Sequence, residues 1–113
     1  MKRGLAALIV TAALSTAACT DQLEGTFGQD LFNAGCAHCH REDLGGGTGP
    51  PLGPGSDADL ELSDLQIADV IRVGPGRMPS FGRRLTDQQI DSLVAYLRSQ
   101  QRGSEIETAS TGS

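Results

Sequence analysis

The chain has 113 residues, a formal net charge of −5, no tryptophan, one tyrosine and three cysteines. That length argues for one domain, and an acidic chain is a poor match to a nucleic-acid backbone. It suits a partner with a basic docking face, where charge mainly sets the rate of encounter.

Met1-Lys2-Arg3 opens the chain, and an apolar run with small residues at its end follows from Gly4 to Ala18. This is the outline of a secretory signal peptide. The run falls short of the roughly 20 apolar residues that cross a bilayer as a helix. Residues 1–18 are therefore read as a leader and the protein as exported, to the periplasm or otherwise outside the cytoplasmic membrane. The end of the leader, Thr16-Ala17-Ala18-Cys19, resembles the lipobox of bacterial lipoproteins. That resemblance implies cleavage before Cys19 and a lipid on its sulfur. Ordinary cleavage after Ala17 or Ala18 is the alternative, and it leaves an exported cysteine to be explained. An acylated Cys19 would hold the protein at a membrane without spanning it. Loss of Lys2 and Arg3 removes two positive charges, leaves −7, and takes away the only lysine.

The rest divides into a short tether over 19–26, a domain over 27–102 and a solvated tail over 103–113, GSEIETASTGS. So small a domain rarely buries enough apolar surface alone, and something other than side chains is expected to fill part of its core. Three helices can be read in it, and no strand pattern. The first is short, over about residues 28 to 34, with Phe27, Leu31 and Phe32 at apolar spacing. The second starts at Ser63-Asp64-Leu65-Gln66, a capping box with Ser63 as N-cap. Leu65, Ile67, Val70 and Ile71 are expected on its buried side, and Gly74-Pro75 stops it. The third starts at a second capping box, Thr86-Asp87-Gln88-Gln89, and carries Ile90, Leu93, Val94 and Leu97 as its apolar stripe, with Tyr96 beside it. Between the first two lies a Gly/Pro-rich stretch over 45–55, too broken for helix or central strand. A loop of that length in so small a domain needs a reason to be ordered, and draping over a bound group would supply one.

Just after the first helix, Cys36-Ala37-His38-Cys39-His40 crowds two cysteines and both histidines of the chain into five positions. Zinc takes four ligands, usually as two spaced pairs. Here no second pair exists downstream, and His38, Cys39 and His40 cannot easily all turn to one ion. A redox C-x-x-C belongs with alternating strands and helices, which the pattern lacks. C-x-x-C-H is the signature of c-type haem attachment. On that reading Cys36 and Cys39 become thioethers and His40 an axial iron ligand, while His38, inside the attachment loop, turns away. A second iron ligand is found by counting. Once Met1 leaves with the leader, Met78 is the only methionine, set in a proline-flanked loop, Gly74-Pro75-Gly76-Arg77-Met78-Pro79-Ser80. Core methionines more often lie on helix faces, and a thioether opposite histidine is a known haem pairing that raises the potential.

At this point the chain resembles class I c-type cytochromes of the small monohaem His/Met type, similar to the single-haem domains of c-type subunits of bacterial respiratory oxidoreductases. The matching segments run in order from Gly28-Gln29-Asp30-Leu31-Phe32 and Cys36 to His40, through Gly49-Pro50-Pro51-Leu52, Ile71-Arg72-Val73-Gly74 and Met78-Pro79-Ser80-Phe81, to Leu93-Val94-Ala95-Tyr96-Leu97. The resemblance implies an all-α small cytochrome c fold, three to four helices wrapped around one covalent haem c. It implies that Gly28 and Phe32 cross the last helix near Tyr96 and Leu97, that the Pro50 carbonyl accepts a hydrogen bond from His40, and that Leu52 and Phe81 pack on the macrocycle. Arg72 and Arg77 are read as solvated surface arginines, with one of them offsetting a haem propionate as the alternative. The function implied is electron transfer without catalysis, the iron cycling between ferric and ferrous states. Redox partners would include a membrane respiratory complex or dehydrogenase. The alternatives are a haem-bearing subunit of a larger oxidoreductase and a gas-binding or peroxidatic domain with a displaceable Met78.

Overall fold

The computed structural model describes residues 22–111; the expected leader, Cys19 and the start of the tether lie outside the described residues. Among the described residues there are five helices and no strand: α1 (Gly28–Gly35), α2 (Ala37–His40), α3 (Asp57–Leu60), α4 (Asp64–Val73) and α5 (Asp87–Thr111). None is long and apolar enough to cross a membrane.

Local chemistry fixes the helix starts. At α4 the Ser63 hydroxyl accepts from the Gln66 N–H at 3.2 Å, and Gln66 Oε1 accepts from the Ser63 N–H at 2.8 Å. Thr86 and Gln89 repeat this reciprocal pair at α5, at 3.1 and 2.9 Å. Each box satisfies two backbone donors that a helix start leaves without partners. Gly74 ends α4 in the left-handed region, φ 64°, its N–H donating to the Val70 carbonyl.

The core sits where α1, α4 and α5 meet. Leu31, Phe32, Ile90 and Leu93 are its most deeply buried side chains, joined by Ile67, Ala68, Ile71, Val94 and Leu97. The Phe32 and Tyr96 rings meet with centroids 5.4 Å apart and planes tilted by 49°, a geometry worth about 1 kcal/mol beyond burial. One turn earlier on α5, Ser92 Oγ accepts from the Gly28 N–H at 3.0 Å. The first and last long helices therefore cross as the family resemblance implies.

Three features depart from the sequence reading. Leu65 is exposed, and Ala68 takes the buried place assigned to it on α4, beside Ile67 and Ile71, while Val70 is half-buried. Leu65 stands two positions before Ile67, about 200° around the helix, on the opposite side from that residue. Two single-turn helices, α2 and α3, add to the three expected; one turn is too short to show a period, although Ser56 caps α3 through the Asp59 N–H. The loop over 41–56 is hydrogen-bonded to the turn before it and within itself. Gly46 and Gly49 N–H groups donate to the carbonyls of His40 and Cys39, and those of Leu52 and Gly53 to that of Leu44. Finally, α5 continues over residues 103–111, where the sequence reading places a tail.

Candidate functional site

Cys36, Cys39 and His40 lie on the short turn that follows α1. The N–H groups of Cys39 and His40 both donate to the Cys36 carbonyl, at 3.2 and 3.1 Å, so the three residues occupy one helical turn. Spacings of three and four bring side chains to neighbouring positions on a helix surface. Both sulfurs are unbridged thiols. Burial, helped by the neighbouring Cys39, pushes the Cys36 thiol up to about 11. It is thus protonated at neutral pH, the opposite of the lowered thiol that a redox C-x-x-C uses.

His40 is buried and His38 beside it is exposed. The His40 ring has a defined tautomer. Its Nδ1 lies 2.8 Å from the Pro50 carbonyl oxygen, and a carbonyl can only accept, so Nδ1 carries the proton and the lone pair is left on Nε2. Gly49 lies against the same ring, where an added Cβ would stand 2.8 Å from Cε1 and 2.9 Å from Nδ1.

The other expected site residues pack on the core. Cys36, Leu52 and Met78 are partly buried and pack against the same cluster of buried side chains. The Met78 N–H donates to the Pro75 carbonyl at 3.2 Å. Phe81 is a member of that cluster, at 5% exposure, and the Arg84 guanidinium stands over its ring at 5.5 Å from the centroid. Arg72 pairs with Asp69 and Asp87, at 3.2 and 3.3 Å, and Arg77 is exposed.

Two polar groups, Arg98 largely covered and Gln101 buried, were not read from the sequence. Arg98 Nε donates to Asp64 Oδ1 at 2.7 Å, and its Nη atoms reach the carbonyls of Ala58, Asp59 and Leu62. Gln101, at 2% exposure, accepts from Arg98 and donates to the Leu52 carbonyl at 2.9 Å. A signal for Gln101 was present: it follows Leu97 by four, so the apolar stripe of α5 continues into a polar residue.

The donor set fits one covalently held haem. Two unbridged thiols share a helical turn with a buried imidazole of fixed tautomer, and a partly buried thioether packs on the same core. Among the described residues no group of three or more His, Cys, Asp or Glu side chains is placed to hold a metal ion.

Comparison with known proteins decides the family. Residues 24–97 match the family described as cytochrome c oxidase, cbb3-type, subunit III. The chain belongs to this family of c-type cytochromes. Cytochrome c6 from Rippkaea orientalis is 37% identical over 78 residues, covering 65% of this chain and 68% of that protein. Part of a nicotinate dehydrogenase polypeptide from Pseudomonas putida is 32% identical over 81 residues, 63% of this chain but 7% of that polypeptide. The solved structure of cytochrome c6 from the diatom Phaeodactylum tricornutum superposes with a TM-score of 0.59 at 29% identity, covering 67% of this chain and 92% of that one. The protein is a small all-α c-type cytochrome that transfers electrons and carries covalently bound haem c with its iron. The cytochrome c6 relatives do not favour the alternatives of an oxidoreductase subunit and a gas-binding or peroxidatic domain.

Proposed function

We propose that Cys36 and Cys39 hold the haem as thioethers, that His40 and Met78 fill the two axial positions of its iron, and that Pro50, Leu52 and Phe81 contribute to its pocket. The two thiols would hold the haem through its vinyl-derived side groups. When bound, the haem supplies one iron that alternates between ferric and ferrous states. The observation that carries the reading is the bond from the buried His40 to the Pro50 carbonyl. It directs the Nε2 lone pair to a metal and raises its basicity. With His40 and Met78 in both axial positions, the chain keeps no coordination site for a substrate, which supports a carrier and not an enzyme.

The reading extends to location and partners. The protein works outside the cytoplasmic membrane, held there by a lipid on Cys19, and exchanges electrons with a membrane respiratory complex or a dehydrogenase. Leu23 is buried in the core, and its carbonyl accepts from Gln89 Nε2 at 2.7 Å. It follows Cys19 by four residues, a reach of at most about 14 Å. An acylated Cys19 would therefore keep the domain close against the bilayer.

Absorption spectra of the matured protein, oxidised and reduced, test the site. We expect pigment that survives denaturation and acid washing, and a weak far-red band in the ferric state that disappears in Met78→Ala. A band that persists in that variant removes Met78 from its role. Cys19→Ser is expected to move the protein from the membrane fraction to the soluble one.

A further inference from the structure

The Pro50 carbonyl orients His40, so whatever fixes Pro50 also acts on the imidazole. Pro50 and Pro51 have their φ angles locked by their rings. The next residue, Leu52, is then the point at which this stiff pair can be held. Leu52 is held at both of its polar atoms: its N–H donates to the Leu44 carbonyl at 2.9 Å, and its carbonyl accepts from Gln101 Nε2 at 2.9 Å. The first bond lies within the loop. The second comes from α5, 49 residues along the chain.

The Gln101 amide has only one orientation available. Arg98 Nη1 donates to Gln101 Oε1 at 2.9 Å, and a guanidinium can only donate. The NH2 end is thereby turned to Leu52. Arg98 is itself fixed by the Asp64 carboxylate and by carbonyls of α3 and of the α3–α4 connection, with its side chain only 16% exposed. From Arg98 to Leu52 each link is a hydrogen bond between a defined donor and a defined acceptor, and from Leu52 to Pro50 the link is the backbone itself.

We propose that Gln101, set by Arg98, is a positioning residue for His40: it holds Leu52, and through the rigid Pro50-Pro51 pair keeps the Pro50 carbonyl on Nδ1–H. The inference rests on the reading of His40 as the iron ligand, and the two fail differently. Loss of His40 ligation shows in the absorption spectrum. Loss of the positioning role shows in hydrogen exchange while the spectrum stays that of the ligated protein.

The test uses the reduced, haem-bearing protein in NMR. Gln101→Glu keeps an acceptor for Arg98 and removes the donor to Leu52. We expect the His40 Nδ1–H of this variant to exchange about tenfold faster, as the loss of one buried hydrogen bond allows, and the midpoint potential to shift. Gln101→His, able to donate again, should restore part of the protection. An unchanged His40 Nδ1–H rate and an unchanged potential in a folded Gln101→Glu protein overturn the proposal. Should the variant fail to fold, the wild type gives the answer alone. As denaturant rises, the Gln101 side-chain amide and His40 Nδ1–H are expected to open in one step, and independent opening rejects the role.

Discussion

The loop that carries Pro50 and the loop that carries Met78 are both rich in glycine and proline, and they are fastened in different ways. The Pro50 loop bonds to the Cys36–His40 turn at one end and, through Gln101, to α5 at the other. The Met78 loop is fastened within its own neighbourhood. Phe81 and Gly82 N–H groups donate to the carbonyls of Ile71 and Arg72, and Ser80 Oγ donates to the Arg72 carbonyl at 2.6 Å. These partners all lie on the last turns of α4. The imidazole thus depends on tertiary contacts from the far end of the chain, and the thioether on a local clasp. A carbonyl bond orients His40, while the polar contact of Met78 is through its backbone.

The clasp breaks most sharply at Gly74. Its φ of 64° is a conformation that costs an ordinary residue about 1–2 kcal/mol. An added Cβ there would collide with the Pro79 carbonyl and the Ser80 nitrogen, which are backbone and cannot swing aside. Gly74→Ala is expected to lose about 3 kcal/mol of stability and the far-red band, as denaturation and absorption of the matured protein will show. A variant with wild-type stability and an intact band would mean that the loop does not need this close approach. On the other side, Gly49→Ala drives its Cβ into the His40 ring. The ring is buried and tied to Pro50, so the expected loss is about 2 kcal/mol, with a shifted potential and an intact Met78 signature. If both variants lose the far-red band equally, the two loops are one unit and the contrast between them fails.

Much of this architecture is written locally and could be read. Both capping boxes are pairs of side chains and backbone groups three residues apart, and the α5 stripe of Ile90, Leu93, Val94 and Leu97 is buried along its length. The Cys36–His40 turn is a contiguous motif. What escaped is non-local or lacks a period. Leu65 has the composition of a core residue but the wrong phase, and only the packing of α4 on α5 decides phase. The bonds of the Pro50 loop are to backbone groups and one glutamine 49 residues away, and backbone groups are the same in every sequence. Arg72 looks like any loop-proximal cation until Asp69 and Asp87 are seen beside it. The run of α5 through residues 103–111 carries no apolar stripe to announce it; a helix already nucleated adds residues at little cost.

The smallest expected effect sharpens the comparison best. The Ser80 hydroxyl and the Gly82 N–H share the Arg72 carbonyl. Ser80→Ala removes one of two donors from an exposed site, where water can replace it, so global stability should fall by only about 0.5–1 kcal/mol. The local consequence is larger than that figure suggests. Opening of the loop needs only the local bonds to break, and the lost bond is a large part of what resists it. Binding of added imidazole to the ferric protein requires Met78 to leave, and its rate counts those openings. We expect Ser80→Ala to raise that rate about threefold and Gln101→Glu to leave it unchanged, since Gln101 holds the other loop. Equal acceleration in both variants would show that the thioether is released by motion of the whole domain and not by its own clasp.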